Sequence, residues 1–170
     1  MVSTTCCKGA ELRCEFRRNG MRSAVMAILS RLRTMRMSAK PALITTEKYF
    51  REAGVVWMGK KFRDEFLGLK VFATNEGEIA IYLLEGDSSD FPILTCLGDE
   101  AKISVFQFHS FLAENRKTPG WFVFYLEGKD GNLYPVGAGK GVNSDGWDVD
   151  AHAIGRRSGY AAGGQFLSRI

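Results

Sequence analysis

A chain of 170 residues that is 45% apolar and 25% charged has the composition of a folded domain, which excludes wholesale disorder. Its longest apolar run near the N-terminus, Ala24 to Leu29, is flanked by arginines and falls far short of the roughly 20 residues a membrane span needs. The net charge of +4 is unevenly held: residues 1–40 carry nine Lys/Arg against two Glu, residues 41–154 carry eleven against seventeen Asp/Glu, and residues 155–170 add three arginines. An acidic body repels a phosphate backbone, so nucleic-acid binding is expected only through the basic N-terminal segment.

In chain order, the first twenty residues show no regular pattern. From Met21 the apolar positions Met21, Val25, Ile28, Leu32 and Met35 recur in steps of four and three, the spacing of one helical stripe. Arg22, Arg31, Arg33 and Arg36 fall mostly off it, so a basic amphipathic helix is expected over about 21–36. Such a helix could pack on the body, lie on an anionic membrane or in a partner groove, or serve as an organelle transit peptide. It could also be upstream reading frame, with Met37 as the true start. The expected compartment is the cytoplasm, with organelle targeting through residues 1–36 as the alternative.

After Pro41, Thr45 or Thr46 can cap a short helix from Glu47 to Ala53 that Gly54 ends. Leu69 to Thr74, a turn at Asn75-Glu76-Gly77, and Glu78 to Leu84 read as a β-hairpin. Phe91 to Cys96 reads as a third strand opened by Pro92. Asp99 to Lys117 reads as one long helix, acidic at its start and basic at its end, stopped by Thr118-Pro119-Gly120. Trp121 to Leu126 is apolar on both faces, as a central strand would be. Lys129-Asp130-Gly131-Asn132 turns the chain into Leu133 to Val136, and a last strand is expected from Trp147 to Ile154.

This order predicts an α+β domain: an antiparallel sheet of about six strands with one long helix packed on a face, plus the N-terminal helix. The expected boundaries are a basic extension over 1–40, a single domain over 41–154, and a Gly/Ser/Arg-rich tail over 155–170. Cys6, Cys7 and Cys14 lie in the extension and Cys96 alone in the body, which is no disulfide framework and no zinc spacing.

Few patterns carry chemistry. In a strand, the period of two places Asp148, Asp150 and His152 on one face, where a carboxylate and an imidazole could converge on a divalent metal such as Mn²⁺, Fe²⁺ or Zn²⁺. A solvated strand face explains the same residues without a metal. The glycine-dense run Gly137, Gly139, Lys140 and Gly141, followed by Trp147, could bind a ligand or an anion through backbone amides and a lysine. It matches neither a Walker loop nor a dinucleotide fingerprint. His109 falls on the shoulder of a helical core stripe, and Gly-x-Ser-x-Gly is absent. Trp57, Trp121 and Trp147 stand near element ends, where a half-exposed ring can anchor a partner. The expected function is therefore a small non-catalytic binding or regulatory domain for a protein partner or small ligand. The alternative is a metal-dependent, hydrolase-like enzyme on the Asp148/Asp150/His152 face.

Overall fold

The computed structural model describes residues 11–16, 25–73, 77–140, 145–155 and 159–170, with side chains described from residue 28 onward. In chain order the elements are β1 (Glu11–Phe16), β2 (Val25–Met37), β3 (Leu43–Ile44), α1 (Glu47–Glu52), β4 (Val55–Met58), α2 (Lys60–Phe66), β5 (Lys70–Val71) and β6 (Gly77–Leu84). There follow α3 (Asp90–Leu97), a 3-10 turn (Gly98–Ala101), β7 (Lys102–Ile103), α4 (Val105–Glu114), β8 (Trp121–Glu127), β9 (Leu133–Gly139), β10 (Trp147–Ala151) and β11 (Gln165–Arg169). The fold is α+β. Eight strands form one mixed sheet in the order β1-β2-β6-β11-β8-β9-β10-β4, and β7 pairs with β8 beside them.

Side chains alternate across this sheet, and each face finds its own cover. One face, the helix face, packs Ile79, Ile81, Phe122, Phe124, Val136, Val149 and Leu167 against α1, α2 and α4. Aromatic rings dominate this layer: Phe108 of α4 meets Phe124 of β8 edge to face, with centroids 4.9 Å apart. The opposite face carries Leu84, Val123, Tyr125 and Phe166, and among the described residues α3 is the one helix that covers it, through Ile93 and Leu97, with Ala101 and Tyr160 packed beside it.

The expected purely antiparallel sheet is corrected to a mixed one, because β11 and β7 run parallel to β8 and β10 runs parallel to β4. The expected helix over 21–36 is corrected to a strand from Val25 on, antiparallel to both β1 and β6; residues 21–24 lie outside the described residues. A bulge explains the misleading pattern. Arg31 pairs with Tyr82 and Arg33 with Ile81, so Leu32 is one residue extra and the period of two shifts phase there. Leu29 therefore joins the α3-covered core while Met35 and Met37 join the other, and the interrupted alternation mimics helical spacing.

Three other elements differ from expectation. Phe91 to Cys96 is helical rather than extended: Ser89 stands at the N-cap position of α3, and Pro92 falls in the first turn, where a missing N–H costs nothing. The long helix over 99–117 is divided, because Ser104 forms a capping box with Gln107 and starts α4 there. Leu69 to Thr74 does not form a hairpin with β6: β5 pairs with β3 in a separate two-stranded sheet, and Thr74, Asn75 and Glu76 lie outside the described residues. The β8–β9 hairpin agrees with expectation, with Gly131 in the left-handed region at φ 76° and Asp130 accepting from Asn132 and Tyr134. So does α1, whose Thr46 side chain accepts from the Tyr49 amide.

The sheet also draws on both ends of the chain. Strand β2 comes from the expected 1–40 extension, and β11, from the expected 155–170 tail, lies between β6 and β8. A fragment beginning at Met37 lacks β1 and β2 and leaves one side of β6 unpaired. The burial of Leu29 that such a fragment loses is alone worth about 2–3 kcal/mol. Chemical denaturation should show such a fragment at least about 3 kcal/mol less stable than the full chain, or aggregated; equal stability would mean the segment is detachable.

Candidate functional site

Helix α3 covers only part of its face. Beyond it the register aligns a row across four strands: Trp121 of β8 opposes Gly139 of β9, Gly139 opposes Asp148 of β10, and Asp148 pairs with Trp57 of β4. The next row runs from Val123 through Gly137 to Asp150. His152 follows, its amide donating to the Pro135 carbonyl at 3.0 Å. Because Trp147, Val149 and Ala151 point into the helix-face core, Asp148 and Asp150 stand on the open face, as the period of two predicts.

Trp121 defines this surface. A Cβ on Gly137 would come within 2.2 Å of its Cζ2, and a Cβ on Gly139 within 2.1 Å of its Cε3, opposite corners of the same six-membered ring. The indole therefore lies along β9 in the space that two side chains would otherwise fill. It remains 49% exposed, and Trp57, at the far end of the row, is 51% exposed. The glycines expected to cradle an anion thus have another physical role: they make room for a ring.

Beside that ring opens a cleft of about 460 Å³, lined by Trp121, Val123, Pro135, Gly137, His152 and Tyr160 and walled by residues 159–164. The wall is tied down at several points. Ser88 and Tyr160 exchange backbone hydrogen bonds at 2.9 and 2.7 Å, and Gly163 donates to Leu84 at 2.8 Å. A buried carboxylate makes the main anchor. Asp90, only 1% exposed at the start of α3, accepts from the Tyr125 hydroxyl at 3.1 Å, the Tyr160 hydroxyl at 2.8 Å and the Gly155 amide at 2.8 Å. Burial is the largest cause pushing the Tyr125 hydroxyl well above its ordinary range, so it donates to Asp90 at any physiological pH.

The residues singled out from sequence divide between the two faces. Asp150 and His152 come together, with Nε2 to Oδ2 at 3.8 Å, while Asp150 Oδ1 accepts from the Ala151 amide at 2.9 Å. Asp148 shares their face and forms no ion pair among the described residues. No three His, Cys, Asp or Glu side chains among the described residues are placed to hold one metal ion. Lys140 turns to the helix face, donating to the Arg116 carbonyl with its ammonium 5.2 Å from the Trp147 ring centroid. Trp147 is fully buried and donates from Nε1 to the Leu112 carbonyl at 2.9 Å. Gly141 lies outside the described residues. His109 stacks on Tyr49 in the helical layer, across the sheet from His152, and burial is the largest cause lowering its pKa.

Sequence reasoning missed Pro135, Tyr160 and the anchoring Asp90. One signal was present: Pro135, Gly137 and Gly139 alternate along a strand, leaving one face of β9 almost without side chains. Two predictions follow from the geometry. Gly139→Ala should push Trp121 off β9 with a stability change within about 1 kcal/mol, because a half-exposed ring can swing away, and its emission spectrum should shift. Asp90→Ala should cost about 3 kcal/mol in chemical denaturation by leaving the buried Tyr125 hydroxyl without its acceptor, whereas Tyr160→Phe should cost about 1 kcal/mol.

Comparison with protein-family models, with curated proteins and with solved structures finds no match to this chain, so its function is argued from the geometry of the open face.

Proposed function

We propose that the chain is a small non-catalytic binding domain whose ligand, a small molecule or a segment of a protein partner, rests in the cleft against Trp121. One observation carries this reading: two glycines in a sheet strand give their side-chain space to an indole that remains half exposed at the mouth of a ligand-sized cleft. Solvent would be better served by polar side chains at these positions. An aromatic surface held in place by a sheet loses little entropy on binding, and this is what makes such rings effective anchors.

Catalysis has less support. No serine, threonine or cysteine lines the cleft among the described residues, so the Asp150–His152 pair has no nucleophile to activate. The metal-dependent alternative on Asp148, Asp150 and His152 needs a further ligand, and among the described residues none completes the set. Nucleic-acid or membrane binding through the basic N-terminal segment was expected of a helix, and from Val25 on that segment is part of the sheet.

Ligand-observed NMR with a library of small polar and aromatic fragments tests the reading. Fragments that bind the wild-type protein should lose at least about tenfold in affinity with Trp121→Ala and retain it with Phe72→Ser, a change at an exposed ring outside the cleft. Hits indifferent to Trp121, or no hits at all, would reject the cleft as the binding site.

A further inference from the structure

Resting on the binding-domain reading, the open face also says which chemistry it would select. Each feature around the ring favours the same kind of group. Trp121 offers aromatic surface, whose negative quadrupole attracts cations. Strand β10 is one strand spacing, about 4.8 Å, beyond the β9 backbone on which the ring lies, and it raises Asp148 and Asp150 on the same face. Both carboxylates are half-buried; Asp148 has no ion-pair partner among the described residues, and only His152 comes within ion-pair reach of Asp150. Of the described lysines and arginines, Lys140 lies nearest in sequence, and it is committed to the other side of the sheet.

A neutral stacking ligand would use the ring and leave Asp148 without a counter-charge. A compact ammonium would satisfy the carboxylates but cover little of the indole. A planar cation does both, because a guanidinium can stack by its face on an aromatic ring while its in-plane N–H groups point sideways to carboxylates. We propose that the open face beside the cleft selects a guanidinium group, stacked on Trp121 and paired with Asp148 and, at its edge, Asp150. The group could belong to a free small molecule or to an arginine of a partner peptide.

Calorimetric titration of the full chain distinguishes these cases. The probes are blocked arginine amide, a blocked Gly-Gly-Arg-Gly-Gly peptide, and the matching citrulline amide, which keeps the planar shape and loses the charge. Both arginine probes should bind, citrulline at least about tenfold more weakly, and affinity should fall with added salt. Asp148→Asn should erase most of the preference for arginine over citrulline while leaving the fold intact, since the two side chains are nearly isosteric and Asp148 is only half-buried. Gly139→Ala should weaken both arginine probes by displacing the ring. Tighter binding of the peptide than of the amide would assign the group to a protein partner, and equal binding to a small molecule. Equal affinity for arginine and citrulline, or Trp121-dependent binding of neutral fragments without arginine binding, would overturn the charge preference while sparing the binding domain. Absence of any Trp121-dependent binding would overturn both.

Discussion

Strand β8 carries large apolar side chains on both of its faces, and a sheet built around such a strand has to cover both. Phe122, Phe124 and Leu126 point one way and Val123 and Tyr125 the other, and all five are fully buried. Its two edges are also fully engaged, by β9 on one side and by β11 and β7 in succession on the other. Three helices and a dense set of edge-to-face phenylalanines seal the first face. Among the described residues, the second has α3, Ala101 of the 3-10 turn and the residues that lead into β11. The candidate site is the place where that second cover ends.

The arrangement explains why a buried carboxylate is tolerated. Burying Asp90 at the start of α3 costs desolvation, which three donors from three separate parts of the chain offset: β8, the Gly155 turn and Tyr160. Those donors also position the wall of the cleft. Removing one hydroxyl leaves the other two donors in place, while removing the carboxylate strands all three. Rigidity of the wall and stability of the second core are therefore one property, and a mutation scan would find them hard to separate except at Tyr160.

How much of this was legible in the sequence depended on whether the deciding contacts are local. The β8–β9 hairpin was, because Asp130 and Gly131 supply a turn whose geometry is set within four residues. The Asp148/Asp150/His152 face was, because alternation is a property of one strand. Strand β2 was not: its bulge at Leu32 breaks the period, and only β6 shows that the segment is extended. Helix α3 was not, because Pro92 serves equally at a strand start and in a first helical turn. The cleft itself depends on β8, β9, β10 and residues 159–164 meeting, and no local pattern encodes that meeting. The paired glycines of β9 came closest, since a strand that gives up side chains on one face implies something else lying there.

Recognition through a sheet can use an edge or a face, and the details of β4 favour the face. An open edge would offer unpaired backbone groups to another strand. Here β4 is only four residues long, the register slips at Val56, and the Arg51 side chain donates to the carbonyls of Val55 and Val56. Bulge, brevity and a charged cap together make a poor template for strand addition. The same bulge has a second effect. By placing Val56 out of register, it returns Trp57 to the face that carries Asp148 while Met58 stays in the core. The device that blunts the edge thus extends the aromatic row from Trp121 to Trp57, and it gives the open face a second exposed ring with Asp148 between the two.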